Sequence, residues 1–356
     1  MRTGFLIISL LLVAAATCFG QTIIGVPADF ATIQEAIDLA DPGAVVSIAP
    51  GTYVENLHIE KSVRLEAETP GAVVVTPSAW DAPAVLVEAS AEDARVEFYG
   101  LEFADAWGER ALAVDSTSTV IVSACEFRGN FVDILTSVSS TIEIRECHFE
   151  GYFDTCIRVA NGATLTISNS TFVGTTKTVI VEGRLGATID VTDCEFSAVG
   201  TTGVQALLAA DNGSSLHAAN VVVTDLYHGT AVEIQDASSA IVESCRFERC
   251  ARGIEILNVA HSSSNTTLQA LTNRIEDCYI GIRLAGYVEL AEISDNAILD
   301  SGLRAIIIVT PTCADAYNPT FAYSGVITGT GNSILRSYKG GCPPFGTPFW
   351  PDGFVD

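Results

Sequence analysis

The chain has 356 residues, 48% of them hydrophobic, and carries a formal charge of -25 from 43 acidic against 18 basic residues. Acidity on this scale excludes the common electrostatic route to nucleic acid or to an anionic membrane surface, and it favours solubility. The apolar fraction is ample for a continuous core, and a repeat running through most of the length argues for one elongated body rather than two ordinary domains.

At the N-terminus, Arg2 precedes an apolar run from Phe5 to Ala16, with small residues near Cys18 and Gly20. Residues 1–20 therefore have the layout of a signal peptide cut after Gly20, and a secreted, periplasmic or cell-surface location is expected. Lipidation of Cys18 is the weaker alternative, because Ala15-Ala16-Thr17 fits a lipoprotein signal poorly. No later stretch offers the roughly 18 uninterrupted apolar residues of a membrane span, so the chain is not expected to be transmembrane.

Residues 21–45 are predicted to form an N-terminal strand and a short capping helix. Thr32 and Glu35 have the spacing of a capping box, and Ile33, Ala36, Ile37 and Ala40 make one apolar helical face. From about residue 46 to 340 a single motif recurs: "YGLEF", "SACEF", "RECHF", "SNSTF", "TDCEF", "ANVVV", "ESCRF", "LTNRI", "SDNAI" and "TGNSI". The residue two before its last apolar position is Leu101, Cys125, Cys147, Ser170, Cys194, Val221, Cys245, Asn273, Asn296 and Asn332, at intervals of 22 to 28 residues until a final gap of 36. That period belongs to a solenoid, in which each unit buries its apolar face only by stacking on its neighbours.

Within each repeat the apolar residues alternate in twos, as in Thr141-Ile142-Glu143-Ile144-Arg145. Period two means strands, and glycine, asparagine and serine pairs punctuate them. Short strands with no room for crossover helices can stack in parallel only as a coil, so the fold class is all-β: a parallel β-helix of about 10–12 coils with a short N-terminal capping helix. An insertion at about 310–342 accounts for the longest gap, and residues 341–356 form a tail rich in proline and aromatics.

With "TNRI", "DNAI" and "GNSI" placing asparagine at the motif's bend, and with the opening "VPADFATIQEAIDLADPGAVVSIAPGTYVENLHIE", the sequence resembles the right-handed parallel β-helix proteins of the pectin-lyase-like superfamily. The resemblance implies an inward ladder of stacked asparagines, whose place in earlier coils is taken by cysteine. Cysteine is read there as a small buried hydrophobe at a bend too tight for larger side chains. One cysteine per coil along a line does not converge as metal ligands must, so no metal site is predicted. The resemblance specifies fold better than activity. Of pectinesterase motifs only "GTYVE" at Gly51–Glu55 has a counterpart. Pectate lyases imply acidic calcium ligands near a basic residue; no cofactor is predicted here, calcium being the one ion left open.

Two outward groups are candidates for ligand binding. Glu126, Glu143, Arg145 and His148, with Arg128 and Glu150 beside them, combine carboxylates, bases and an imidazole, although a surface ion-pair patch is the simpler reading. The second is a row through Asp133, Arg158, Ile180, Glu233, Glu255 and Arg283. Its two glutamates on adjacent coils would lie about 4.8 Å apart, near the roughly 5–5.5 Å of retaining glycosidases. Any two stacked glutamates have that spacing, and an ordinary charge ladder is again simpler. The histidines His58, His148, His217, His228 and His261 show no metal-ligand spacing, and no catalytic residue is assigned.

Ten cysteines less Cys18 leave an odd number, so they cannot all pair within one chain. Cys313 and Cys342, flanking the insertion, are the disulfide candidate in an oxidising compartment, while Cys250 and Cys278 could stack as thiols or join. Tyr317, Phe321, Tyr323 and Tyr338 in the insertion are the densest aromatics, suited to packing on the coil or to stacking on sugars. The expected function is non-catalytic binding of a polysaccharide or cell-envelope component. A polysaccharide lyase or glycoside hydrolase is the alternative, and a structural or adhesive surface element the third reading.

Overall fold

Among the described residues every strand pairing is parallel, and the strands form three sheets of 13, 12 and 11 members. The computed structural model describes residues 21–89, 91, 93–108, 110–136, 138–151, 154–174, 179–197, 206–258, 266–308 and 324–335. One coil contributes a strand to each sheet in turn: Thr141–Arg145 to the first, His148–Glu150 to the second and Ile157–Val159 to the third. The next coil repeats the order with Thr164–Ser168, Thr171–Val173 and Val179–Gly183. The parallel solenoid expected from the period is thus the observed fold. Within the span expected as an insertion, Ser324–Thr328 and Ser333–Leu335 are strands of the last coil, whereas residues 309–323 and 336–342, with Cys313, Cys342 and the four aromatics, lie outside the described residues, as do the expected signal segment, His261 and the tail.

Each ladder residue of the motif is buried, from Leu101 through the cysteines to Asn332. The residue before it turns the chain from the first sheet into the second, and this turn requires a positive φ. Gly100 and Gly331 meet that requirement at no steric cost, and Asn169, Asp193, Asn220 and Asp295 at little. Ala124, Glu146, Ser244 and Thr272 adopt it too, with φ between 52° and 56°, held there by pairing to the coils above and below.

Two chemistries satisfy the buried ladder. Asn273 Nδ2 donates to Asn296 Oδ1 at 3.0 Å, and Asn296 Nδ2 to Asn332 Oδ1 at 3.0 Å, while the same oxygens accept the backbone N–H of Asn273 and Asn296. The thiols of Cys125, Cys147, Cys194 and Cys245 instead donate to the carbonyl two residues earlier on their own strand, at 3.2 to 3.3 Å. Two residues beyond the ladder, Phe103, Phe127, Phe149, Phe172 and Phe196 stack face to face with centroids 4.4 to 5.1 Å apart. They form a ring column through the core at the pitch of the sheet.

The helix Ile33–Leu39 buries Ile33, Ala36 and Ile37 against the first strands. Thr32 Oγ1 accepts from Glu35 N at 3.2 Å, which is one half of the expected capping box. The remaining orphan N–H groups find a partner that the sequence did not announce. Glu55, at the end of "GTYVE", accepts from Ile33 N and Gln34 N, each at 3.0 Å. Gln34 in turn exchanges two hydrogen bonds with the backbone of His58. The motif shared with pectinesterases is here the clasp between the cap and the first coils.

Asp133 and Ile180 do not belong to the outward row in which the alternation placed them. Both are fully buried, and so are Ala111, Cys156, Leu207 and Ala231 at the matching point of other coils. Where the chain enters the third sheet two successive residues, such as Ile180 and Val181, both face inward. Strict alternation counted through that corner slips by one and reverses the face. Asp133 consequently sits inside the coil, where Asn130 Nδ2 donates to its Oδ1 at 2.8 Å beside the Cys156 thiol.

Burial raises the Asp133 carboxyl from 3.8 to about 7, against the opposing hydrogen bonds of Cys156 and Asn130. The folded state therefore holds a proton that the unfolded chain releases. Its contribution is complete below about pH 4 and is lost as pH rises towards and through about 7, a change on the order of 4 kcal/mol. Denaturant melts from pH 4 to 8 should show this decline in the parent protein, whereas D133N should lack that component of the slope.

Burial also pushes the Cys194 thiol up to about 11 and the Cys245 thiol to about 12, and it raises Cys125 well above its ordinary value together with hydrogen bonding to Cys147. Thiolates are the reactive form. Iodoacetamide should leave Cys125, Cys147, Cys194 and Cys245 unmodified in the native protein and alkylate all four after denaturation. Ready labelling in the native state would contradict this register.

Candidate functional site

The outward row of the third sheet is set by its register. Leu135 pairs with Arg158, Arg158 with Glu182, Glu182 with Ala209, Ala209 with Glu233, Glu233 with Glu255, and Glu255 with Arg283. The two glutamates and Arg283 are neighbours as the alternation implies, and Glu182 takes the place given to Ile180. Although these side chains project away from the core, Glu182, Glu233 and Glu255 are buried.

Burial of charge demands partners. Glu255, whose side chain is 2% exposed, accepts from Arg283 through Oε1 and from Thr230 Oγ1 through Oε2 at 3.0 Å, with Arg252 3.5 Å away. Glu182, 5% exposed, accepts from Arg184 Nε at 2.7 Å through Oε1 and from Arg158 Nε at 2.6 Å through Oε2. Gln235 Nε2 donates to Glu233 Oε1. Stacking in register puts like charges on adjacent coils, and the arginines interleaved among them make the row tenable.

The other sequence-derived group divides between two sheets. On the first, Arg145 pairs with Glu143. On the second, Glu126 lies in register with His148 and Arg128 with Glu150; Arg128 reaches Glu126 at 3.0 Å, and His148 Nδ1 meets Thr171 Oγ1 at 2.7 Å. Among the described residues no hydrogen bond or ion pair links the two halves.

One cluster escaped the sequence reading. His217 on the first sheet lies between carboxylates of the coils on either side, with Nδ1 3.0 Å from Asp190 Oδ1 and Nε2 3.1 Å from Glu243 Oε1. All three side chains are partly exposed. The signal that could have found it is the repeat itself. Asp190 and His217 hold the same position in successive coils, and Glu243 stands two residues along the next. Cys250 and Cys278 are free, buried thiols. Among the described residues no three His, Cys, Asp or Glu side chains form a group able to hold a metal ion, and no helix is long and apolar enough to cross a membrane.

Residues 80–212 match the family model described as a right-handed β-helix region. The described residues accordingly form a parallel β-helix, right-handed by that match over residues 80–212. No curated protein matches the chain. Among solved structures it is similar to a PL6 alginate lyase in complex with trisaccharide, at TM-score 0.49 and 11% identity over 88% of this chain and 85% of that one. It is also similar to the DFA-IIIase of Arthrobacter chlorophenolicus A6 in complex with GF2, at TM-score 0.49 and 15% identity over 89% and 95%. A third is the Streptococcus pneumoniae surface protein and adhesin PfbA, at TM-score 0.45 and 14% identity over 86% and 93%.

Because Glu255 is enclosed, removing its closest cation should be costly. R283M is expected to lower stability by about 3 kcal/mol, the low end for a broken buried pair because Arg252 remains. The double substitution R283M/E255Q should recover most of that loss in urea denaturation.

Proposed function

We propose that this protein is an exported β-helix that holds a polysaccharide or another cell-envelope component along its outer surface without turning it over. The observation that carries this reading is the state of the carboxylates on the third sheet. Glycoside hydrolysis requires one carboxyl group placed to donate a proton and a second free to attack or to activate water. In Glu182 and Glu255 both oxygens are already engaged by guanidinium or hydroxyl donors. Such carboxylates and their arginines are held rigidly, with little freedom to exchange protons with a substrate. The rigid coil they brace supplies a pre-organised surface for a ligand.

The leader-like N-terminus and the acidic composition support export and solubility. The test is a panel of neutral and acidic polysaccharides, with retention of the protein measured alongside release of unsaturated products and new reducing ends. Retention without products is the expected result. Products from any polymer would replace this reading by lyase or hydrolase activity, and neither retention nor products would favour the structural or adhesive element.

A further inference from the structure

Where the chain turns from the second sheet into the third, three successive residues have a repeated division of labour. The first is left-handed, the second is buried and the third projects outward. Asp105-Ala106-Trp107, Asp225-Leu226-Tyr227 and Asp277-Cys278-Tyr279 follow this pattern, with φ of 61°, 64° and 53° at the aspartates and Ala106, Leu226 and Cys278 buried. Gly129-Asn130-Phe131 is a fourth instance, with glycine at the left-handed position. Arg249-Cys250-Ala251 and Asp300-Ser301-Gly302 share the pattern, so the outward residue is aromatic in four of these six turns. Trp107 is 60% exposed, Tyr227 57%, Tyr279 56% and Phe131 42%; Trp80, on the coil before Trp107, is 78% exposed.

These aromatics are far apart in sequence and share one corner of the coil. Trp80, Trp107 and Phe131 occupy three consecutive coils, whose second-sheet strands pair through Val75, Phe103 and Phe127. Coils stack at about 4.8 Å, so the three rings form a ridge parallel to the axis. The ridge is built rather than incidental. Trp107 Nε1 donates to Asp105 Oδ1 at 3.2 Å, and Tyr227 donates to Asp225 Oδ1 at 2.9 Å. Beside Trp80 the chain has Gly108, where a Cβ would come within 2.2 Å of the Trp80 carbonyl oxygen and 3.0 Å of its ring. Rings of this size normally bury their area, and a row of them in water marks an interaction surface.

We infer that this ridge binds an uncharged polysaccharide chain lying along the β-helix axis, its sugar rings stacked on Trp80, Trp107 and Phe131 and its hydroxyls donating to the neighbouring aspartates. The inference rests on the polysaccharide reading above and narrows its ligand class. Charge makes the choice. The acceptors beside the rings are carboxylates on a chain of net charge -25, which repels uronic acids and nucleic acids alike. An apolar face with a hydrogen-bond acceptor at its edge matches a neutral sugar, which has a C–H face and a rim of hydroxyl donors. A protein interface would call for aliphatic neighbours closing around the aromatics, whereas here Asp81 and Asp105 flank the two tryptophans.

The test uses W80A/W107A and the conservative W80Y/W107Y in the full chain, with affinity electrophoresis in gels containing hydroxyethylcellulose, mannan, xylan, alginate or polygalacturonate. The parent protein should be retarded by at least one neutral polymer and by neither anionic one. W80A/W107A should bind that polymer at least tenfold more weakly with an unchanged circular dichroism spectrum, and W80Y/W107Y should keep most of the affinity. Unchanged binding by W80A/W107A would overturn the ridge while leaving polysaccharide binding in place. Retardation by no polymer would overturn both. Parent self-association in sedimentation, abolished in W80A/W107A, would reassign the ridge to an interface between copies.

Discussion

Parallel stacking of coils at a fixed pitch is the constraint from which the rest of the structure follows. No coil closes a core alone, since its inward side chains meet partners only in the coils above and below. Each inward position must therefore be filled by a residue that matches its counterpart one repeat away. The phenylalanine column from Phe103 to Phe196 satisfies that condition with stacked rings, and the series Asn273, Asn296, Asn332 satisfies it with side-chain hydrogen bonds. Cysteine satisfies it by being small and by returning its weak donor to its own strand. What the ladder demands is size and local saturation of polar groups, which is why such different side chains alternate along one line.

The same pitch governs the outside. Residues in register stand side by side at strand spacing whether or not their chemistry is compatible, as Glu233 and Glu255 do on the third sheet. Compatibility is restored by neighbours from other coils: Arg283 and Arg252 at Glu255, Arg158 and Arg184 at Glu182, and carboxylates on both sides of His217. A β-helix thus converts a one-dimensional repeat into rows of chosen chemistry along its axis. A linear polymer is a natural counterpart for such rows, because it too repeats along one direction. The buried charge row of the third sheet and the aromatic ridge at its corner run in that same direction.

The N-terminal cap shows how the open end of such a stack is closed. The helix Ile33–Leu39 covers the first coil with apolar side chains, and the carboxylate of Glu55 accepts two of the N–H groups its first turn leaves unpaired. A polar side chain from the neighbouring coil thereby fastens the cap to the stack.

The sequence by itself determined the fold class, the ladder and the buried state of its cysteines, because the period of the repeat and the alternation of two leave no other way to bury those side chains. It also placed Glu233, Glu255 and Arg283 in one row, since register follows from the repeat once strands are aligned. Only the tertiary structure decided what happens at the corners. There two successive residues turn inward, so Asp133 and Ile180 change faces and Glu182 enters the row. There too the left-handed turn throws out Trp107 and Phe131 from separate repeats, in line with Trp80 on the coil before. Alternation describes a straight strand, and a bend is where its count fails; contacts between coils depend on how each bend is made.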